Sequence, residues 1–130
     1  FWSDTDVICL KHIDFKDDYI FPTEIESIKN GIEYGHAIAS CIFHCKKKSE
    51  LMKSCYEDSS SRDRSLLKWG EIGPSLLAEK IKEHNLIDHC MPYQIFNPVP
   101  WTQVELIFSK NISIDALSEN SHCIHLWNEM

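Results

Sequence analysis

Hydrophobic and polar positions divide the chain into short apolar runs near its start, helical patterns in its middle and brief mixed elements toward its end. Val7-Ile8-Cys9-Leu10 is a β-prone apolar run that predicts a strand, or extended chain packed under a sheet. Lys11 to Asp18 turns polar and predicts a solvated turn. Tyr19-Ile20-Phe21 is a second short run closed by Pro22, whose missing N–H predicts a loop or an edge position. Glu24 to Lys29 alternates polar and apolar and ends in Asn30-Gly31, a turn dipeptide that predicts a hairpin or a strand-to-helix connection.

From Tyr34 to Phe43 the positions Tyr34, Ala37, Ile38, Cys41 and Ile42 fall on one helical face, with Lys46-Lys47-Lys48 suited to a helix C-terminus. A second helix is predicted from Ser49, with Leu51, Met52 and Cys55 or Tyr56 facing inward; Glu57 to Arg64 is Ser- and charge-rich and predicts a mobile surface loop. Gly73-Pro74 predicts a loop entering a helix with proline at its first position, its buried face carried by Leu76, Leu77 and Ile81 and continuing to about His84. Asn85 to Ile95 reads as a connection holding a short strand. Phe96 to Trp101, with two prolines among aromatics, reads as rigid extended chain packed on the core. Short helices are predicted over 101–108 and from Ser113 to Leu117, the latter capped by Ser113. At the end, alternation puts Cys123, His125 and Trp127 on one strand face and His122, Ile124 and Leu126 on the other.

Composition narrows the picture. A chain of 130 residues, 43% of them hydrophobic, can bury one core, so residues 1–130 are expected to form a single domain. The net charge of −7, from 20 acidic and 13 basic residues, argues against nucleic acid or an anionic membrane as the main partner. No apolar run approaches the roughly 20 residues that span a bilayer, so the chain reads as soluble and without a transmembrane segment. The six cysteines fit no compact disulfide framework and no paired zinc motif, which points to a reducing compartment and a cytoplasmic location. Cys41 and Cys45 would share a helical face beside His44, and a cysteine–histidine metal site there is a third functional reading.

The chemistry starts at Asp4-Thr5-Asp6. In extended chain both carboxylates project to one side, where they repel one another unless a cation or hydrogen-bond donors lie between them. A hard divalent ion already holding phosphate oxygens meets that need; the plainer reading is an acidic turn facing water. A strand end could bring the His125 imidazole to the same ion. The Asn30 amide at its turn could bond a hydroxyl-rich ligand, Gly31 allowing close approach, and the helix starting at Gly73-Pro74 offers a positive end to an anion.

Taken in order, Ser3-Asp4-Thr5-Asp6-Val7-Ile8-Cys9-Leu10, Asn30-Gly31, Trp69-Gly70-Glu71-Ile72-Gly73-Pro74-Ser75-Leu76-Leu77, Phe96-Asn97-Pro98-Val99-Pro100-Trp101 and His125-Leu126-Trp127-Asn128 resemble one family across essentially the whole chain. It is the glycosyltransferases with a DXD sugar-binding region, which include the α-1,4-galactosyltransferases and a class of mannosyltransferases. The resemblance implies an α/β GT-A fold, Rossmann-like, and retaining transfer of a sugar from a nucleotide-sugar donor to a glycan or lipid-linked saccharide acceptor. It implies Mn²⁺ or Mg²⁺ on Asp6, with Asp4 as its partner and His125 as a second ligand beside Trp127 and Asn128. Asn30, Gly31, Gly73 and Pro74 are similar to segments lining the sugar and acceptor side of the cleft, and Glu71 would orient the acceptor or the developing charge.

Such enzymes build their base-binding half from strands before the Asp-x-Asp pair, and three residues precede Asp4 here. The resemblance therefore implies the C-terminal portion of a catalytic domain, beginning at that motif and incomplete at its N-terminus. Exposed sheet edges would favour oligomerisation or poor solubility. An upstream anchor would place the protein in the Golgi lumen instead of the cytoplasm. The alternative function is a non-catalytic carbohydrate-binding or regulatory remnant of the same fold.

Overall fold

The computed structural model describes residues 1–109 and 113–128. In chain order its strands are β1 (Trp2–Ser3), β2 (Val7–Cys9), β3 (Tyr19–Lys29), β4 (Ile32–Ile38), β5 (Ile42–Cys45), β6 (Cys90–Met91) and β7 (Cys123–His125). Its α-helices are α1 (Glu50–Ser61), α2 (Pro74–Glu83) and α3 (Ile114–Asn120). Five strands form a mixed sheet in the order β1-β5-β3-β4, with β6 also paired to β3; β2 and β7 form a separate antiparallel ribbon.

β3 is the spine, because alternation along it sends Ile20 to one face and Phe21 to the other, each 1% exposed or less. Phe21 packs with Leu51 of α1 and Leu77 and Ile81 of α2. Ile20 packs with Ala39, Cys41, Ile42, Phe96 and Cys123, so the ribbon and the Phe96 segment cover the second face. Helices, sheet and ribbon thus form three layers around β3.

The Asn30-Gly31 turn is a hairpin. Both residues have positive φ, 53° and 74°, the pair that a tight two-residue turn needs to follow the strand twist. It turns Tyr34 to Phe43 into strand rather than helix: β4 and β5 replace the predicted amphipathic helix, since Ile32, Tyr34, His36 and Ile38 also fit a period of two. Ile20 lies opposite His44 and Thr23 opposite Ile38, so three steps along β3 correspond to six along the return strand. The excess is absorbed after Ala39, around Ser40 and Cys41, a bulge that lifts backbone away from the ladder.

Pro22 departs from its predicted place. It lies inside β3 and buried, where β3 changes partner from β5 to β4; its carbonyl accepts from Ala39 N at 3.0 Å, and the change of partner spares the N–H that proline lacks. The polar stretch after Leu10 is also better anchored than predicted, because Ile13 and Phe15 pack on the core and the Phe15 ring sits 4.8 Å from that of His122.

α1 starts as predicted, the Ser49 hydroxyl accepting from Met52 N at 3.4 Å, but it continues through Ser61. Most of the segment predicted as a mobile loop is therefore helix. Its end is held by charge: Asp58 pairs with Arg62 at 2.6 Å and with Lys80 of α2 at 3.1 Å. Leu51 is buried whereas Tyr56 is 72% exposed, so Cys55 rather than Tyr56 completes the inner face. α2 matches its prediction, with Gly73 as N-cap, Pro74 first, Leu76, Leu77 and Ile81 buried and His84 at the end. β6 is the short strand expected in the 85–95 connection, and α3 is capped by Ser113, whose hydroxyl accepts from Ala116 N at 3.3 Å. Trp101–Leu106 is a 3-10 helix.

The class is mixed α/β. Among the described residues, parallel pairing is confined to β3 with β6, and the parallel strands of a Rossmann-like sheet are not found.

Candidate active site

Asp4 and Asp6 lie at the crossing from the sheet to the ribbon. β1 ends at Ser3, Asp4 N donates to Cys41 O of the bulge at 2.7 Å, and Thr5 and Asp6 then turn into β2. Asp6 O accepts from Leu126 N at 2.8 Å, which ties it to the ribbon's other strand. The two carboxylates are brought together by a turn, not by the extended i, i+2 geometry expected from the sequence. One belongs to the sheet and the other to the ribbon, with Thr5 alone between them.

β7 delivers the third group. Val7 pairs with His125, which places the imidazole beside Asp6, with Nε2 3.3 Å from Asp6 Oδ2. One ligand atom each from Asp4, Asp6 and His125 lie within 4.8 Å of one another; no other such group of three His, Cys, Asp or Glu side chains occurs among the described residues. Asp6 and His125 side chains are 17% and 12% exposed, so two charges of one sign share a poorly solvated corner with an imidazole. Burial pulls the His125 pKa below its ordinary value, against the opposing pull of the Asp6 and Asp4 charges, and this favours the neutral ring that a cation requires. Two carboxylates and one neutral imidazole form a donor set that fits Mn²⁺, and with fewer protein contacts Mg²⁺.

The surrounding groups fix these three. Trp2 Nε1 donates to Asp4 Oδ1 at 3.0 Å, and Asn128 N donates to Asp6 Oδ2 at 2.9 Å. The second bond depends on Trp127, whose φ of 55° turns the chain back on itself directly after the strand. Trp127 Nε1 donates to Val99 O at 2.9 Å, and its ring lies 4.0 Å from that of His125. Trp127 has therefore left the strand pattern that would have set it level with His125, and it acts as a wall that orients the imidazole.

The corner opens into a cavity of about 830 Å³ lined by Asp4, Asp6, His125 and Asn128 on one side and Gly70, Ile72, Gly73 and Pro74 on another. All four tryptophans of the chain, Trp2, Trp69, Trp101 and Trp127, line it, and Trp69 is 86% exposed. Pro74 has no N–H and Ser75 N donates to Gly70 O at 3.2 Å, so this helix start offers an anion its dipole end rather than a set of free amides.

Two sequence candidates lie elsewhere. Asn30 and Gly31 form the exposed hairpin tip and do not line the cavity. Glu71 does not line it either: its carboxylate accepts from Arg62 Nη1 at 3.1 Å and from Lys68 N at 3.0 Å. Those contacts hold it below the usual carboxylate range, the Lys68 N–H contributing most, and they brace the turn carrying Trp69. Cys41 and Cys45 pack on opposite faces of the sheet, and burial pushes the Cys41 thiol up to about 12, so the cysteine–histidine site is not formed.

Two residues without a role in the sequence reading do belong here. Glu24 of β3 reaches the cavity, and burial, then the Glu26 charge, pushes its carboxyl above the usual range. Asn97 is 1% exposed and supports the bulge, accepting from Cys41 Sγ at 3.3 Å and donating to Thr23 O at 2.9 Å. The signal for Asn97 is its place between Phe96 and Pro98 in an aromatic segment, where a buried amide must find partners.

A family model described as an alpha 1,4-glycosyltransferase conserved region matches residues 44–130, two thirds of the chain. The match includes Glu71, Gly73, Pro74, His125, Trp127 and Asn128, while Asp4, Asp6, Asn30 and Gly31 precede it. No curated protein and no solved structure matches the chain.

Proposed function

The chain belongs to the alpha 1,4-glycosyltransferase family, and we propose that it transfers a sugar from a nucleotide-sugar donor to a hydroxyl of a glycan or lipid-linked saccharide, with retention, using Mn²⁺ or Mg²⁺ held by Asp4, Asp6 and His125. We further propose that these residues are the C-terminal portion of a GT-A catalytic domain. The observation that carries the reading is the meeting of two carboxylates and an imidazole in the wall of a cavity that also gathers every tryptophan of the chain.

Charge supplies the reason. A nucleoside diphosphate is an anion, and a cavity holding Asp4, Asp6 and Glu24 would repel it without a bound cation. When bound, the cation offsets that repulsion and stabilises the negative charge that grows on the diphosphate as the anomeric bond breaks. Trp2 and Asn128 hold one oxygen of each aspartate, so the carboxylates are oriented before any ligand arrives. Trp127 packs on His125 and excludes water from that side. Trp69 and Trp101 present flat apolar faces on which the C–H face of a sugar ring can lie. Glu24 lines the same cavity, where its carboxyl can accept a hydrogen bond from a sugar hydroxyl.

The test is a Mn²⁺ titration of the chain, followed by hydrolysis and transfer assays over a panel of uridine- and guanosine-diphosphate sugars with and without chelator. Saturable Mn²⁺ binding that disappears in Asp6→Asn, together with turnover that chelator abolishes, is the expected result. Turnover indifferent to chelator and to Asp6→Asn would remove the metal role, and saccharide binding without turnover would favour the binding remnant.

A further inference from the structure

In the ribbon, Val7 lies opposite His125, Ile8 opposite Ile124 and Cys9 opposite Cys123. The backbone bonds flanking these pairs, Leu10 N to His122 O and Leu126 N to Asp6 O, both at 2.8 Å, mark 10/122 and 6/126 as hydrogen-bonded positions. Alternation then makes Cys9 and Cys123 a non-hydrogen-bonded pair, the one in which facing side chains approach most closely, with Cα atoms about 4.5 Å apart. That separation lies within the range a disulfide spans. Cys9 and Cys123 face one another in the register, and the Cys9 thiol donates to Lys11 O at 2.9 Å, a bond on the exposed side that a rotation of the side chain releases. Cys9 is exposed and reachable, whereas Cys123 is buried beneath it.

The other cysteines are less well placed. Cys45, Cys55 and Cys90 pack on the helix side of the sheet, across from Cys123. Cys41 shares a core cluster with Cys123, but its thiol is turned to Asn97.

We propose that Cys9 and Cys123 are a site of reversible oxidation, forming a cross-strand disulfide that staples β2 to β7 next to the acidic corner. The co-reactant is a small disulfide such as oxidised glutathione. The Cys9 thiolate attacks one of its sulfurs and releases one glutathione thiol; Cys123 then attacks the mixed disulfide at the Cys9 sulfur and releases the second. Two protein thiols become one disulfide, and one glutathione disulfide becomes two thiols, so electrons and protons balance. The ribbon already holds this geometry, so the bond joins strands where they lie. The inference does not depend on the proposed sugar transfer.

The experiment equilibrates the chain in glutathione buffers of rising oxidised fraction, quenches with acid and an alkylating agent, and digests without reduction for mass spectrometry. The expected product is a linked pair of peptides containing Cys9 and Cys123, two hydrogens lighter than their sum, growing with the oxidised fraction and lost again in excess reduced glutathione. Cys9→Ser, a change at an exposed position, should keep the fold by circular dichroism and abolish the link. Recovery of Cys9 only as its glutathione adduct, linkage of Cys9 to another cysteine, or an undiminished loss of two thiols in Cys9→Ser would each overturn the proposal.

Discussion

Three side chains decide what the corner can do, and each has a separate support. Removing a ligand should cost more than removing a support. Asp6→Asn and His125→Ala are expected to weaken Mn²⁺ binding by at least about tenfold, as outer-shell losses alone do at other metal sites, and calorimetric titration reads this directly. Asn97→Ala strips the bulge of its amide and leaves Thr23 O unpartnered, a loss of about 1–3 kcal/mol measurable by urea unfolding. His122 gives a pH signature. Burial, followed by the Lys11 charge and against that of Asp14, lowers its pKa below 6.5, so the unfolded chain takes up the proton first. Its contribution to stability is full above pH 6.5 and is lost as pH falls through the lower, folded value. His122→Gln should therefore flatten the stability curve on the acid side of 6.5, and an unchanged slope would contradict this assignment. Asp4, Asp6 and His125 stand out in the sequence by residue type, whereas the turn at Thr5 and Asp6 that brings them together does not. Glu24 was not legible, because a carboxylate in an alternating strand looks the same whether it faces water or a cavity.

Among elements, the hairpin separates a turn from a binding site. Gly31 has φ 74° and open space around it, so Gly31→Ala strains only the backbone, at about 1–2 kcal/mol. It should leave nucleotide-sugar and saccharide affinity unchanged, since the hairpin tip does not line the cavity; a loss of that affinity would restore the reading of Asn30 and Gly31 as substrate-binding. The helix mistakenly expected over Tyr34 to Phe43 shows where local pattern fails. Tyr34, Ile38 and Cys41 fit a helical stripe and also a bulged strand, and only the positive φ at Asn30 and Gly31, which folds the chain back onto β3, selects the strand. α1 fails the other way. Its second half has no apolar anchor, and the i,i+4 pair Asp58–Arg62 that closes it is completed by Glu71 and, from α2, by Lys80. The pairing with Lys80 across elements leaves no periodic trace. α2, by contrast, was read correctly because cap, proline and apolar stripe agree locally.

At the scale of the molecule, a cation binding only the folded chain raises its stability, by about 2.7 kcal/mol at a hundred times the dissociation constant. Saturating Mn²⁺ should raise Tm in the wild type and not in Asp6→Asn. β4 forms an end of the sheet order and exposes Ile32 (57%) and Tyr34 (48%). Concentration-dependent association is expected along it, and Ile32→Lys should suppress it in light scattering. The described residues include no helix long and apolar enough to cross a membrane.

The crossing at Thr5 has a mechanical consequence. Asp4 is anchored to the sheet through Cys41, and Asp6 to the ribbon through Leu126. An ion gripping both would act as a rivet through two plates, and its tightness would report how well the plates are seated. Slack introduced remotely, at the Phe15–His122 contact for example, would then surface as a weaker grip at the rivet with no ligand touched.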